Sequence, residues 1–303
     1  MIDSLLDRAT AVLERRFLTN AFLPVLLLLP AAALPSLVEG GRLNQVVAAF
    51  SALPLATKLL VAGGYFTFAW FLAVIVASQW RNIIRLFEGY PLAGWPAVDA
   101  IGKHWHRTQS ADLDADSAEW FSNYLAYPAS DEVLPTRLGN VMRAAERYPL
   151  DRYGADLILV WPRLLQVIPR ESAQDVEEAR GRLEFVLVLA LWFAGFAALA
   201  PVFAFSARGS ALVAVSCLML GTGGAYAAYL SGIAAAAEYG EYLRALFDTH
   251  RFALLRQLNA PIPTTLRGER QLWRELGDFV GRGIPPRWDY DHGVAGPPDS
   301  AAG

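Results

Sequence analysis

The chain has 303 residues, of which 54% are hydrophobic and only 18% are charged. This composition is typical of a multi-pass membrane protein with a soluble portion, and it argues against an ordinary soluble domain. The formal net charge of −3 argues against electrostatic binding of nucleic acid. The single cysteine, Cys217, excludes an intramolecular disulfide and a multi-thiolate metal site.

The N-terminal part begins with an amphipathic pattern. Residues 1–20 place their apolar side chains on one helical face, which predicts a helix on the membrane surface. Residues 21–80 follow as a first transmembrane hairpin with uncharged spans at 21–38 and 59–80. A cleaved signal peptide is the alternative for the first span, but the acidic residues in the preceding helix favour an uncleaved one.

Prolines interrupt the first span at positions 24, 30 and 35. Each is expected to kink the helix, so neighbouring helices must supply donors to the carbonyls that it frees. The helix of the second span is expected to continue beyond the membrane and to end at Gly89-Tyr90-Pro91.

The C-terminal part has the same alternation of polar and apolar segments. Residues 81–182 form a cytoplasmic helical segment, and residues 183–237 form a second transmembrane hairpin with a very short loop. Residues 238–284 are expected to be cytoplasmic helices, the first running to about Leu258. The Pro-, Gly- and Asp-rich tail, 285–303, is expected to be disordered.

The basic residues indicate the orientation in the membrane. Twenty-three of the 26 lie before the first span, within 81–182 or after the fourth span. By the positive-inside rule, both termini and the central segment face the cytoplasm. The strong preference for Arg over Lys indicates a GC-rich bacterial genome and hence the bacterial inner membrane. The sequence therefore predicts an all-α polytopic membrane protein, with four transmembrane helices in two hairpins and a helical cytoplasmic domain.

The stretch from Leu134 to Pro169 concentrates the residues with functional potential. Thr136 predicts a helix start, with the end expected before Pro149, and Asp156 precedes an apolar helix, 157–168, expected at the membrane interface. The functional interpretation is a site for an anion or a lipid headgroup, and the alternative, which we favour, is an Arg–carboxylate network that locks the fold. The candidate residues are Arg137, Asn140, Arg143, Glu146, Arg147, Arg152, Asp156 and Arg163.

Small residues recur every four positions in the fourth span and predict a close-packed helix face. The partner helix belongs either to the same chain or to another copy. The four spans contain no ionisable residue, which argues against a proton-coupled carrier and leaves a passive pore open. The helix-packing residues are Gly224, Ala228, Gly232, Ala236 and Gly240.

Catalytic and metal-binding signatures are weak. His104 and His106 lie two residues apart, but the acids that follow lack the pattern of a calcium loop, so an exposed or interfacial pair is favoured over metal ligands. The sequence contains no nucleotide-binding loop, serine elbow or zinc signature. We therefore predict no catalytic residue, no metal and no cofactor.

Several motifs carry a resemblance. They are Thr136-Arg137-Leu138-Gly139-Asn140, Arg143-Ala144-Ala145-Glu146, Tyr153-Gly154, Asp156 and Trp161-Pro162-Arg163, together with Asn20-Ala21-Phe22-Leu23-Pro24, Phe247-Asp248 and Arg251-Phe252. The set resembles a group of uncharacterised multi-pass bacterial membrane proteins, actinobacterial in character. The resemblance covers most of the chain and implies the membrane layout, but no activity.

The function expected from these patterns is non-enzymatic. The chain is predicted to form a homo-oligomeric pore, or a membrane-bound sensor gated through residues 134–169. The alternative is a membrane-bound enzyme or binding module for lipid headgroups or a phosphorylated ligand. The expected partners are the lipid bilayer, further copies of the chain and an anionic lipid or phosphorylated ligand, with no nucleic acid.

Overall fold

The structure is a computed structural model that describes residues 17–39, 41–111, 126–206 and 210–291. These residues form helices and connecting turns, with no strand among them. A π-helical turn (Leu18–Phe22) precedes the first α-helix, and a 3₁₀ turn (Tyr90–Gly94) follows the fourth. The α-helices are α1 (Leu23–Glu39), α2 (Leu43–Ala52), α3 (Leu55–Ser78), α4 (Trp80–Glu88), α5 (Pro96–Ala111), α6 (Arg137–Tyr153), α7 (Leu157–Leu164), α8 (Arg170–Ser206), α9 (Ala211–Gln257) and α10 (Leu266–Arg282).

The described residues divide into two compact units. The first unit comprises residues up to Pro91 and Arg180–Ala235, and the second comprises Leu92–Ala179 and the residues from Ala236 onward. Four helices are long and apolar enough to cross a membrane, as the sequence predicts: α1 with its preceding turn, α3, α8 and α9. In the 18-residue apolar segment of each of these helices, only 11–33% is buried within the chain. Most of this apolar surface therefore faces outward and suits a lipid environment.

Pro30 shows how the first unit accommodates prolines within a helix. Its ring nitrogen cannot donate to the carbonyl of Leu26, four residues earlier. The hydroxyl of Tyr65, on α3, donates to that carbonyl instead. This contact confirms the expectation that a neighbouring helix satisfies a freed carbonyl. It also gives the hydroxyl of Tyr65 an acceptor within the apolar part of α3.

One buried cluster of the first unit consists of small side chains around an aromatic ring. Ala32 on α1 packs with Phe196 and Ala200 on α8 and with Cys217 on α9. A Cβ added at Gly195 would lie 3.4 Å from the Leu28 side chain, which is ordinary van der Waals contact. Dispersion between closely packed surfaces is the main force that joins helices in lipid, and short side chains allow that approach.

The second unit has a conventional apolar core. Trp273 on α10, Phe247 on α9 and Leu164 on α7 are almost fully buried in it. Helix termini carry clear signals: the Thr136 and Thr265 side chains cap α6 and α10 by accepting from the amides of Gly139 and Gly268, each at 3.1 Å. The threonine start of α6 is therefore confirmed.

Two local expectations are wrong. Helix α6 does not end before Pro149 but runs through it to Tyr153, where Gly154 adopts a left-handed conformation with φ of +78°. Pro149 is buried, and contacts on either side of it (Tyr148 to Asp248, Tyr153 to Phe247) hold the helix past the missing hydrogen bond.

Helix α7 also differs from expectation because it ends at Leu164 rather than Ile168, and its apolar side faces protein. Leu157, Val160 and Leu164 lie in the core of the second unit rather than on a free surface.

Part of the predicted tail makes defined contacts. The Arg287 amide donates to Glu275, and the Asp291 amide donates to the carbonyl of Asn259 at 2.7 Å. The Trp288 side chain packs against the core of the second unit. Predictions for residues 1–16 and for the tail beyond residue 291 lie outside the described residues.

Candidate functional site

Asn140 holds the loop that precedes α6. Its side chain is fully buried and accepts from the Leu134 amide at 2.7 Å. Its amide nitrogen donates to the carbonyls of Leu134 and Thr136, each at 2.9 Å. All of these partners are backbone groups of one turn, so Asn140 shapes the loop and is not available to bind a ligand.

Arg143 and Arg147 are paired with a carboxylate that the sequence analysis did not select. Glu132 lies 2.8 Å from Arg147 Nε and 3.5 Å from Arg143 Nε. Arg143 also lies 3.8 Å from Glu146, and Arg147 lies 3.8 Å from Asp151. This network ties the loop before α6 to the outer face of that helix.

The remaining candidates of the stretch are dispersed. Asp156 caps α7 by accepting from the Ile158 amide at 2.9 Å. Arg163 is exposed and donates to the Leu159 carbonyl, while Arg152 is exposed with its guanidinium 5.3 Å from the Tyr148 ring. Arg137 is exposed as well. These positions do not converge on one site.

Burial alters the protonation of two groups near this stretch. It raises the pKa of Glu146, an effect that the Arg143 charge opposes and the Asp156 charge reinforces. It also lowers the pKa of His106, and the positive charge of Arg137 adds to that effect. His106 is therefore held neutral on the face of α5 that packs inward, while His104 is exposed.

A tyrosine–aspartate cluster joins α6 to α9. The Tyr148 hydroxyl donates to Asp248 Oδ2 at 2.8 Å. Burial raises the pKa of Tyr148, and the hydrogen bond to Asp248 raises it further. Tyr153 behaves alike, since burial and then the Asp248 carboxylate raise its pKa. Both hydroxyls are therefore protonated donors that orient the carboxylate.

An ion pair links the end of α9 to α10. Arg251 Nε lies 2.8 Å from Glu269 Oε1, and the Trp273 indole donates to the same oxygen at 3.4 Å. The Arg251 guanidinium also stacks 4.6 Å from the Tyr153 ring centroid. This cluster is nearly closed to solvent and joins α9 to α10 within the second unit.

A cavity of about 300 Å³ lies beside α6 and α9. The side chain of Arg244 is only 6% exposed, and its guanidinium donates to Glu241 Oε2 at 3.0 and 3.1 Å. The Tyr127 hydroxyl is within 3.1 Å of His106 Nδ1. The residues that line the cavity are Tyr127, Pro128, Ala129, Ala144, Tyr148, Asp151 and Arg244.

The cavity unites part of the predicted stretch with residues that the sequence did not single out. Ala144, Tyr148 and Asp151 come from α6, whereas Arg244 lies seven residues beyond the end of the apolar run 209–237. Nothing in the local pattern distinguishes Arg244 from the other arginines. One available signal is its position two turns after a run of small residues, where a long side chain reaches across a closely packed helix.

The small-residue ladder is occupied by contacts within the chain. Ala228, Gly232, Ala236 and Gly240 are buried, and Gly224 is half-buried. In the first unit a Cβ at Gly224 would lie 2.5 Å from the Phe193 ring, and in the second a Cβ at Gly240 would lie 2.9 Å from Ala145 Cβ. The ladder therefore no longer indicates a subunit interface.

Gly221 extends this pattern. An added Cβ there would lie 2.6 Å from Ala197 Cβ and 2.7 Å from its backbone nitrogen, so α8 and α9 nearly touch at this point. Gly221 stands three residues before Gly224 on the same helix, outside the four-residue repeat that predicts the packed face.

Searches of protein-family models, curated proteins and solved structures returned no match to this chain. The resemblance to multi-pass bacterial membrane proteins therefore stays a prediction.

Proposed function

We propose that this protein is a non-enzymatic, membrane-bound sensor that takes up a small anion in the Arg244 cavity. The observation that carries the proposal is the buried guanidinium in the cavity wall, beside residues of the predicted 134–169 stretch. A volume of about 300 Å³ is at the lower end for small-molecule sites.

The chemistry of Arg244 favours an anion. A guanidinium stays charged at any physiological pH and offers five N–H donors in a planar fork that matches carboxylate and phosphate oxygens. Glu241, which accepts two of its hydrogen bonds, has a side chain that is 63% exposed and therefore well solvated. A ligand oxyanion in the cavity would meet a buried guanidinium that already donates to a well-solvated carboxylate.

The rest of the lining supports binding rather than catalysis. Tyr148 already donates to Asp248, and Asp151 lies 3.8 Å from Arg147, so both polar groups have partners within the protein. Ala129, Ala144 and Pro128 provide an apolar wall. An anion that carries a short apolar or polyol part, such as a phosphate monoester, fits this mixture. The phosphate could come from a free metabolite or from a lipid headgroup.

The membrane location supports a sensor. Helix α9 carries both the fourth apolar run and Arg244 without interruption, so ligand contacts and the apolar region share one helix. The buried ladder leaves less support for a homo-oligomeric pore. Oligomerisation of the sensor and its placement in a bacterial inner membrane remain part of the proposal.

The basic-residue asymmetry leads to a topology prediction. Gln166 and Gln45 are both exposed, and they lie on opposite sides of the proposed membrane. In a Cys217→Ser background, Gln45→Cys should react with an impermeant thiol reagent in intact cells, whereas Gln166→Cys should react only after lysis. Labelling of Gln166→Cys from outside would contradict the proposed orientation.

The ligand prediction is tested with glycerol phosphate as probe and the full chain in neutral phosphatidylcholine nanodiscs. Arg244→Gln should weaken binding at least about 30-fold, since losing one partner of a buried charge pair costs about 2 kcal/mol or more. Ala144→Leu, which fills the cavity, should do the same. The matched control is Arg143→Gln, whose half-exposed ion pairs contribute about 0–1 kcal/mol to stability and which lies outside the lining.

Calorimetric titration measures the affinity of the protein for free glycerol phosphate. A parallel titration compares nanodiscs with and without phosphatidylglycerol, and a difference between them would show that a lipid headgroup occupies the site. Binding that is lost in Arg143→Gln and retained in Arg244→Gln would move the site to the predicted arginine stretch. The absence of binding in both titrations would overturn the sensor proposal for phosphate esters.

A further inference from the structure

Helix α5 has a buried inner face and an exposed outer face. Its inner face packs on the chain: His106 is buried, and a Cβ at Gly102 would lie 2.7 Å from the Pro135 carbonyl oxygen. The outer face carries a separate stripe of large apolar side chains. Trp95 and Ile101 are each 70% exposed, Trp105 is 55% exposed and Val98 is 44% exposed.

The stripe is regular rather than scattered. Val98, Ile101 and Trp105 recur at three- and four-residue spacing, which places them along one side of the helix, and Trp95 immediately precedes its first turn. Single exposed apolar residues are common on soluble proteins, but a continuous row with two tryptophans indicates a surface that contacts something apolar.

The residues beside the stripe identify the occupant. Two cations, Lys103 and Arg107, stand against the one acid of α5, Asp99. Lys103 is paired with Asp99 at 2.8 Å, and Arg107 Nε donates to the Ser130 carbonyl at 2.9 Å. Tryptophan prefers the boundary between acyl chains and headgroups, and basic residues beside it favour anionic headgroups. Charge and composition together match a membrane surface better than a protein groove.

The position of α5 in the chain agrees with this occupant. Only residues 89–95 separate α5 from α4, which follows the apolar helix α3 after a single residue. At most about 3.6 Å per residue, this connector spans no more than about 25 Å. The nine residues of α4 add about 14 Å at about 1.5 Å per residue, so chain connectivity keeps the start of α5 within about 40 Å of the end of the apolar helix α3.

We propose that the Trp95–Val98–Ile101–Trp105 face of α5 lies in the headgroup and upper acyl region of the same membrane that the apolar helices cross. The helix rests flat, with the stripe inserted and its basic flank toward the phosphates. This inference rests on the membrane anchoring in the proposed function. It gives the second unit an attachment of its own to the bilayer.

Site-directed spin labelling of the full chain in phosphatidylcholine–phosphatidylglycerol nanodiscs tests the proposal. In a Cys217→Ser background, single cysteines replace Ile101 on the stripe, Ala100 as an exposed neighbour on another side of α5, and Phe71 on α3 as a reference. Power saturation compares relaxation by oxygen with relaxation by a water-soluble nickel chelate. Thermal unfolding confirms that the three labelled proteins fold alike.

The label at Ile101 should be relaxed more strongly by oxygen, and the label at Ala100 more strongly by the nickel chelate. Nickel-dominated relaxation at Ile101 with oxygen-dominated relaxation at Phe71 would overturn this inference and leave membrane anchoring intact. Nickel-dominated relaxation at Phe71 would reject anchoring itself. If the Ile101 label is shielded from both reagents, or shows dipolar broadening from a second chain, the stripe packs against protein. Either result would overturn the proposal that the stripe contacts the membrane.

Discussion

Gly221→Leu is expected to prevent accumulation of folded protein, whereas Gly223→Leu, two residues away on the same helix, is expected to be tolerated. At Gly221 even a Cβ would lie 2.7 Å from the Ala197 backbone nitrogen. Backbone cannot move aside as the end of a flexible side chain can, so α8 and α9 must separate. At Gly223 an added Cβ meets nothing within 4 Å.

The expected size of the effect comes from overpacking. Extra methylenes in a packed core typically cost about 1–3 kcal/mol, and a leucine against backbone belongs at the upper end or beyond. Gly223→Leu instead replaces a helical glycine with a better helix former on an exposed face, which favours the helix by up to about 1 kcal/mol. Thermal unfolding and gel filtration of both variants in the same detergent measure the difference.

The pair also distinguishes the two interpretations of the small-residue face. Intrachain packing predicts that Gly221→Leu aggregates or unfolds. A subunit interface predicts that it elutes as a smaller, folded species with an unchanged melting temperature. Equal stability and equal elution of the two variants would show that α8 and α9 do not approach closely at Gly221.

Much of the helical layout is local in origin and was therefore predictable. The helix starting at Thr136, the α4 end at Gly89, where φ is +90°, and the extension of the fourth apolar helix to Gln257 each follow from nearby residues. That some neighbouring group donates to the Leu26 carbonyl was predictable, because Pro30 frees this carbonyl four residues earlier. That the donor is Tyr65 was not predictable, because 39 residues separate Tyr65 from Leu26.

The site was harder to predict because its partners are distant in sequence. Asp248 meets Tyr148 across 100 residues, and Arg244 joins a cavity whose other walls come from residues 127–151. Single-sequence patterns detect helical periodicity but not which helices meet. The stretch 134–169 was selected for its arginines, yet the structure uses Arg143 and Arg147 to hold Glu132.

Pro149 shows the same limit for a local rule. A proline disfavours helix for the residue before it and removes one hydrogen bond. Here the tertiary contacts of Tyr148 and Tyr153 outweigh that cost, and the helix ends only where Gly154 allows a left-handed turn. An added Cβ at Gly154 would lie 2.8 Å from the Arg270 carbonyl oxygen, so glycine is needed there for space as well as for conformation.

Glu269→Ala is expected to destabilise the second unit by about 3–5 kcal/mol, the usual cost of breaking a buried ion pair by removing one partner. The Glu269 side chain is 6% exposed and that of Arg251 is 18% exposed. Removing the carboxylate leaves the guanidinium nearly buried without its anion. It also deprives the Trp273 indole of its acceptor in the apolar core.

Asp278→Ala is the matched control because it removes an ion pair from the same helix. Asp278 lies 3.4 Å from Arg282, but the two side chains are 46% and 75% exposed. Water screens such a pair, so the unfolding free energy should stay within about 0.5 kcal/mol of the wild type. The two variants thus differ mainly in the burial of the ion pair, while both replace a carboxylate of α10 with alanine.

Urea unfolding of the full chain in detergent, followed by tryptophan fluorescence, measures both variants, and hydrogen exchange reports the protection of α10. Glu269→Ala should shift the midpoint strongly and expose the amides of α10, because this helix is fastened to α9 through Arg251. Glu269→Gln should fall between the two, since its amide oxygen still accepts from Arg251 and Trp273 but carries no charge. If Glu269→Ala and Asp278→Ala unfold at the same urea concentration, the Arg251 cluster is not what holds α10 in place, and the apolar contacts of Trp273 alone must do so.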